Sequence, residues 1–420
     1  MTTKNISGTK QQCVVLAAGE GTRMRPLTGS RPKVMIPIAN RPMLEHLLCA
    51  CRESGITEFV LVVGYKEQAI REYFGDGTDF GIQIQYVRQT QQAGTADALL
   101  AAKPHVRDRF LMINGDMLLS CEDITKVLQS KSPAIGICTV ADPRKYGIVT
   151  IEKEDNASAE NVFVTSFEEK SDKPLSSLIN CGIYSFDTDI FEHLARVTPS
   201  PRGELELVDA LMPFIQSRSL RAIETPSWVD LGSPWDLLDV NMSLLHAHIP
   251  HIASDAVIED GVYLHGNVSI GSGTIVKSGT YIEGPCIIGN NSKIGPHVYI
   301  RGTTAIGDNC HIGHSTEMKN SILFSNSNLP HFNYVGDTII GSGCNFGAGT
   351  KVANLRHDKA VIKVGGISTG RKKFGAVIGD NVLFGINCAV NVGTRIGNHC
   401  SFAPGAQVHG DIFDGTVYRE

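Results

Sequence analysis

Between Leu16 and Lys33 the chain reads LAAGEGTRMRPLTGSRPK, a stretch whose residue types suit the handling of a polyphosphate. A short apolar run, Cys13 to Ala17, predicts the buried strand that delivers it. Gly19 and Gly21 lack a Cβ and let backbone N–H groups close on a bulky anion. Thr22, Arg23, Arg25, Arg31 and Lys33 follow, and such charge-assisted donors are what several phosphate oxygens need to be held and neutralised. The spacing is neither that of a Walker loop nor that of a dinucleotide GxGxxG, because the lysine arrives twelve residues after Gly21 with prolines between.

Three further places suit the same chemistry. In QTQQAGTADA, Gln89 to Ala98, a predicted strand ends and Gly94 and Thr95 open a helix; a glycine there lets a base or ribose lie against the chain while Gln89 reads its edge. Asp116, in NGDM at the end of an apolar strand, carries a charge that cannot be buried unpaired, and a Mg²⁺ ion would resolve that cost. Asp230, in WVDLG, is a second such carboxylate, and two carboxylates with nucleotide phosphates and water make a Mg²⁺ shell. Between them lie FEEK, INCGIY and RGELELVD, where Lys170 suits a sugar phosphate and Glu169 and Glu204 suit sugar hydroxyls. Taken singly, each is as well read as an ordinary loop, a turn aspartate or a solvated charge run; their weight comes from standing together.

The elements that must position them alternate. Pro42 to Arg52 places Leu44, Leu47, Leu48 and Cys51 on one helical face and stops at Gly55. Phe59 to Val63 and Ile82 to Val87 predict strands, with Lys66 to Phe74 helical between them. Thr95 to Ala102 predicts a helix and Arg109 to Ile113 a strand. This rhythm predicts a doubly wound, mostly parallel α/β sheet that gathers ligands at the carboxyl ends of its strands.

LAAGEGTRMRPLT followed by RPKVMIPIANRPM resembles the signature of sugar-1-phosphate nucleotidylyltransferases. Over residues 13 to about 232 the likeness is nearest to glucose-1-phosphate thymidylyltransferases and related archaeal enzymes. It implies a Rossmann-like domain in which Leu16, Ala18, Gly19, Gly21, Thr22, Gln89, Gly94 and Thr95 line the nucleotide. Arg23 would orient pyrophosphate and Lys33 would stabilise charge on the phosphates. Asp116 and Asp230 would hold Mg²⁺, and Glu169, Lys170, Asn180 and Glu204 the sugar phosphate. The implied reaction is in-line attack of a sugar-1-phosphate on the α-phosphorus of UTP or dTTP, in which positioning and charge neutralisation carry the catalysis.

The second half has a different period. After an amphipathic bridge in which Trp235, Leu238, Met242 and Leu245 recur at helical spacing, aliphatic residues from Ile252 to Ile312 stand six apart. The pattern returns, shifted, at Ile340, Phe346 and Val352, and again from Ile378 to Val408. A coil of short strands explains this: each six-residue unit is one side of a prism with its aliphatic residue inward and a small residue at the corner. The repeat resembles the left-handed parallel β-helix of hexapeptide acyltransferases, from which the handedness is taken.

Two departures draw attention as functional places: Phe324 to Val335, with His331 and Tyr334, and Asn354 to Ala376, with Lys359, Lys363, Arg371, Lys372 and Lys373. From Arg301 through EMKN, LPHFNYVGD, CNFGAGT and AN, the segment resembles the acetyltransferase half of the bifunctional bacterial enzyme family that makes UDP-N-acetylglucosamine. The resemblance implies His331 as general base on the amine of an amino-sugar-1-phosphate, with acetyl-CoA as co-substrate. It also implies Arg301 and Lys319 on the sugar phosphate, Tyr334 and Asn345 on the sugar, Asn354 near the amine, and the Ala348 N–H as oxyanion donor. Leu355 stands where that family has a tyrosine and Ile386 where it has a serine, at positions that touch acetyl-CoA.

With 420 residues the chain holds two domains, expected as a flexible tail 1–12, a nucleotidyltransferase domain 13–232, a helical linker 233–250 and a β-helix 251–420. A net charge of -5 gives no basic surface for nucleic acid, and no run approaches membrane-spanning length. Eleven scattered cysteines without a CxxC pair fit reduced thiols in a cytoplasmic protein rather than a disulfide framework or zinc site. The β-helix family implies a homotrimer. Two narrower readings stay open beside the bifunctional one: a nucleotidylyltransferase with a structural or regulatory β-helix, and a non-enzymatic scaffold.

Overall fold

The computed structural model describes residues 11–153, 162–169 and 171–418; most of the expected N-terminal tail and Lys170 lie outside them. Backbone contacts divide the chain into two compact units, Met1–Glu20 with Met43–Asp230, and Gly21–Pro42 with Leu231–Glu420.

The first unit is built on a nine-stranded sheet. In chain order its strands are β1 (Gln12–Ala17), β2 (Glu58–Val63), β3 (Gln83–Arg88), β4 (Phe110–Asn114), β5 (Ala134–Thr139), β6 (Gly147–Lys153), β7 (Val162–Glu169), β8 (Leu178–Phe186) and β9 (Arg221–Glu224). They lie in the order β3-β2-β1-β4-β8-β5-β9-β7-β6. The neighbours β3, β2, β1 and β4 run parallel, and β1, β2 and β4 are apolar on both faces. Val14, Val60, Val62, Phe110 and Met112 share one buried cluster with the helices Thr95–Ala102 and Leu207–Gln216. Cys13, Val15, Leu61 and Ile113 are equally buried. Helices on both faces are what require continuous apolar runs. Beyond β4 the sheet is mixed: β8 is antiparallel to β4 and β5, and β7 to β9 and β6. Short connections between β6, β7 and β8 leave no room for parallel crossovers.

In the second unit three ladders of short parallel strands form the sides of a prism. One face runs from Val257–Ile258 to Val417–Tyr418, the second from Tyr263–His265 to Gln407–Val408, and the third from Val268–Ile270 to Asp411–Ile412. Ile270, Val276, Ile282, Ile288, Ile294, Ile300, Ile306 and Ile312 point inward in a single core. Ile252 is exposed, because no coil lies beneath the first. Many corners turn through positive-φ residues that are not glycine, such as Asn291, Asn309, Asn326 and Asn381; asparagine tolerates this left-handed geometry better than most side chains.

The first expected departure, Phe324 to Val335, is not a break. The coils continue through it one residue short: Ile306 pairs with Leu323 and Leu323 with Ile340, whereas Ile288 pairs with Ile306 eighteen residues on. Met318, Leu323, Leu329 and Val335 carry the core, which is why the six-residue count loses phase there. The second departure is a real excursion between Val352 and Ala376, holding the antiparallel pair Lys363–Val364 and Ile367–Ser368. Ile362, Val364 and Phe374 anchor it with buried side chains, and Arg371 is ion-paired with Asp239 on the preceding helix Asp236–Ala247. On that helix Leu238 and Leu245 are buried as the spacing predicts, while Met242 is exposed.

Candidate functional site

Parallel pairing brings the carboxyl ends of β1, β2, β3 and β4 to one edge of the first unit. The Leu16 carbonyl accepts from Gly115 N at 2.8 Å and the Ala18 carbonyl from Tyr65 N at 3.0 Å, so the chain just after β1 is stitched to its neighbours on both sides. Gln92, not singled out from the sequence, donates its amide to the same Ala18 carbonyl at 3.0 Å. Ala18 is buried and Leu16 half-buried, but Gly19 is exposed and a Cβ there would meet open space, the surface a ligand backbone contact needs.

Gln89 is buried, and its Nε2 donates to Asp97 at 2.8 Å and to the Gly94 carbonyl at 3.2 Å. The amide that was to read a base edge is thus already committed on its N–H side, leaving the carbonyl oxygen for a ligand. Gly94 has φ 122° and faces the backbone of Leu205, whose N would lie 2.7 Å from a Cβ. Its absent side chain therefore first serves the close crossing of RGELELVD. Thr95 accepts from Leu207 N at 3.0 Å on the same crossing.

The two aspartates are brought together. Met117–Leu118 and Val229–Asp230 form a two-stranded antiparallel pair in which Asp230 faces Met117, one residue from Asp116. Both carboxylates are half-buried. No group of three or more potential metal-ligating side chains occurs among the described residues. Two half-buried carboxylates carried by neighbouring backbone would fit Mg²⁺, which takes oxygen donors and fills the rest of its shell from phosphates and water.

On the sugar side, Asn180 already makes two bonds: its Nδ2 donates to the Tyr184 hydroxyl at 2.6 Å and its Oδ1 accepts from Gly182 N at 2.9 Å, leaving one N–H and one lone pair. It holds the irregularity where β8 slips against β5. Glu169 and Glu206 share Arg202, at 3.3 and 2.8 Å, and Glu204 is exposed nearby in sequence. Burial pushes the Glu206 carboxyl above its ordinary range against the pull of Arg202. Arg202 and Glu206, both in RGELELVD, are not marked by the sequence, since they lie in the turn before the helix Leu207–Gln216 and no helical spacing pairs them.

In the second unit the segment Gly21–Pro42 keeps Thr22, Arg23 and Arg25 exposed. Lys33 is buried and opens the short 3-10 turn Lys33–Met35. Gly21 sits at φ 72°, and a Cβ on it would come within 2.5 Å of Lys33 Cβ. Glycine is required there because the lysine stem passes over it. Arg31 does not join the phosphate cluster, being paired with Asp380 at 2.8 Å.

Arg301, Lys319 and Tyr334 lie on one face of the β-helix, and His331, Ala348 and Asn354 at the two corners bounding it. Arg301 pairs in register with Lys319, its guanidinium 3.2 Å from Glu317 and 5.7 Å from the Tyr299 ring centroid. Tyr334 follows on the same face, its hydroxyl 3.5 Å from Asn354 Oδ1, and burial pushes its phenol up, with Glu317 and Asp337 adding. His331 lies exposed at the corner before Tyr334, and Gly349 N, next to Ala348, donates to the His331 carbonyl at 3.0 Å. His331 and Ala348 therefore stand at one corner on successive coils. Asn345 is exposed on the adjoining face.

Residues 12–247 match the nucleotidyl transferase family, residues 282–366 the GMPPB C-terminal domain and residues 375–403 the hexapeptide repeat of succinyl-transferase. The bifunctional protein GlmU of Methanocaldococcus jannaschii is 39% identical over 412 residues, covering 97% of each chain. A bifunctional sugar-1-phosphate nucleotidylyltransferase/acetyltransferase of Sulfurisphaera tokodaii is 38% identical over 412 residues, 96% of this chain and 99% of that one. The chain belongs to this bifunctional nucleotidylyltransferase/acetyltransferase family. A UDP-glucose pyrophosphorylase crystallised with UDP-glucose shares the fold of the first part, with a TM-score of 0.51 at 24% identity over 57% of this chain and 100% of that one.

One residue among these β-helix side chains is not marked by the sequence. Asp337, 4% exposed, accepts from Asn354 Nδ2 at 2.5 Å, Asn320 Nδ2 at 2.7 Å and Lys319 Nζ at 3.4 Å. It takes two donors from the coil before its own and one from the coil after, and a carboxylate is the side chain that accepts from all of them. Asp337→Asn turns one acceptor into an amide facing other amides. Its expected effect is a KM for the amino-sugar phosphate raised by about tenfold, some 1.4 kcal/mol, with nucleotidyl transfer unchanged; steady-state kinetics of both reactions check this. Leu355 and Ile386, the two departures from the bacterial pattern, are both exposed.

Proposed function

We propose that the protein N-acetylates glucosamine-1-phosphate or galactosamine-1-phosphate with acetyl-CoA and transfers UMP or dTMP from UTP or dTTP to a sugar-1-phosphate. The observation that carries this reading is the presence of two chemically different clusters in separate units, the Asp116 and Asp230 pair in one and the His331 and Ala348 corner in the other.

In nucleotidyl transfer the sugar phosphate oxygen forms a bond to the α-phosphorus as the α–β anhydride bond breaks and pyrophosphate leaves with the electron pair. Asp116 and Asp230 would hold Mg²⁺, which supplies charge neutralisation on the phosphates. Gly19 lets the backbone approach the nucleotide, Arg23 orients pyrophosphate and Lys33 offsets the developing charge. Glu169, Lys170 and Glu204 hold the sugar; the committed amide of Asn180 favours a supporting role behind them.

In acetyl transfer Arg301 and Lys319 hold the phosphate and Asn354 the amine region. His331 takes the amine proton as nitrogen bonds to the thioester carbon, the Ala348 N–H stabilises the oxyanion, and the C–S bond breaks to release coenzyme A. Exposed Leu355 and Ile386 offer the coenzyme apolar contact in place of hydroxyl groups.

We further propose a homotrimer, supported by the exposure of His331 on a single chain; light scattering at the mass of one chain, with full acetyl activity, would refute it. All eleven cysteines are unbonded, which suits a reducing cytoplasm. No helix among the described residues is long and apolar enough to cross a membrane. The substrate assignment is tested by a panel of triphosphates and sugar-1-phosphates, with pyrophosphate and free thiol as readouts. Turnover confined to UTP or dTTP and to hexose or N-acetylhexosamine phosphates is expected, and preference for a purine triphosphate would contradict it.

A further inference from the structure

The segment Gly21–Pro42 carries Arg23 and Lys33, yet its contacts group it with the β-helix. It is fastened there at several points. The Pro26 carbonyl accepts from Asn398 Nδ2 at 3.2 Å, and Asn40 Nδ2 donates to the Ile306 carbonyl at 2.6 Å. Ala39 N donates at 3.0 Å to Asn241, which in turn donates at 3.0 Å to the Thr303 carbonyl. In the middle stands Asp380, whose side chain is 4% exposed. It accepts from Ser30 Oγ, from Arg31 Nη2 at 2.8 Å and from Ser342 N at 2.7 Å. The Arg31 guanidinium also lies over the Phe324 ring, 5.1 Å from its centroid.

A guanidinium held by a carboxylate on one side and an aromatic ring on another acts as a structural anchor through its Nη2, while Nη1 is buried with no hydrogen-bond partner among the described residues. It stands two residues before Lys33, whose stem packs on Gly21. Displacing Arg31 therefore moves the lysine and, through Gly21, the Arg23 turn.

We propose that Asp380, a β-helix residue, is a positioning residue for nucleotidyl transfer, acting through Arg31 to set Arg23 and Lys33. The proposal rests on the nucleotidyl reading above, which pyrophosphate release by the unaltered protein tests separately. Asp380 belongs to a corner apart from the acetyl-site residues, so the two reactions on one chain provide their own control.

Asp380→Ala leaves Arg31 enclosed without its counter-charge. It is expected to lower kcat for nucleotidyl transfer by about thirtyfold or more, with acetyl transfer within about twofold of the unaltered enzyme. The double variant Arg31→Met with Asp380→Leu replaces the pair by apolar side chains of similar size and is expected to recover kcat to within about threefold. A merely structural loss would lower both activities of the chain together, so the unchanged acetyl transfer, and not the rescue alone, separates positioning from stability. Unchanged nucleotidyl transfer in Asp380→Ala would overturn the proposal, as would loss of both activities, which assigns Asp380 to β-helix stability alone. A double variant as inactive as the single one would also overturn it, since Arg31 would then be acting on phosphate itself.

Discussion

Asp116→Asn is expected to lower nucleotidyl transfer by about a hundred- to a thousandfold in kcat while leaving acetyl transfer unchanged. Neutralising one carboxylate of a pair that would share a divalent cation removes charge where the phosphates must be bridged, and a lost electrostatic contact at a transition state is worth roughly that factor. The backbone has no reason to move. Asp116 stands beside a pair whose ladder is made by main-chain groups of Met117, Leu118, Val229 and Asp230, and asparagine keeps the shape of aspartate. Pyrophosphate release measured across a Mg²⁺ titration checks it. The account expects a raised Mg²⁺ requirement along with the lowered plateau, and an unaltered Mg²⁺ dependence would contradict the assignment.

His331→Ala has the second large effect, in the other reaction. General base catalysis contributes about a hundred- to ten-thousandfold, so thiol release from acetyl-CoA should fall within that range with nucleotidyl transfer intact. The corner itself survives the change: the His331 backbone accepts from Gly349 N and donates to Asn333 Oδ1 at 3.3 Å, neither of which uses the imidazole. Free-thiol assays on the variant and the unaltered enzyme, with pyrophosphate release as the internal control, check it. Acetyl transfer in the variant within a few-fold of the unaltered enzyme would remove His331 from the mechanism.

Much of this was legible in the amino-acid sequence because it depends on short-range pattern. The strands β1, β2 and β4 announce themselves as apolar runs, and the helix Thr95–Ala102 falls where its periodicity puts it. The six-residue period needs no tertiary knowledge, since each unit repeats one side of a prism. What escaped depends on partners far along the chain. Arg31 read as a phosphate ligand because its type and neighbours suit one, and nothing local indicates that a carboxylate 349 residues away claims it. The same holds for the Gly94 crossing by Leu205 and for the Asn180 amide spent on a strand irregularity. Asp337 escapes for a related reason: its donors, Lys319 and Asn320 on one side and Asn354 on the other, lie on the two coils flanking its own, so no spacing within one stretch marks it. The apparent break at Phe324 to Val335 came from coils one residue short, which shift the count without disturbing the fold.

The central claim is that one chain carries two working sites. Its most direct test is a single incubation of the purified protein with Mg²⁺, UTP, acetyl-CoA and glucosamine-1-phosphate, with products identified by mass spectrometry and with thiol and pyrophosphate followed together. Release of both is expected, with N-acetylated sugar phosphate and nucleotide sugar among the products. Pyrophosphate without thiol, over the same panel extended to dTTP and galactosamine-1-phosphate, would contradict it and leave a nucleotidylyltransferase on a structural β-helix.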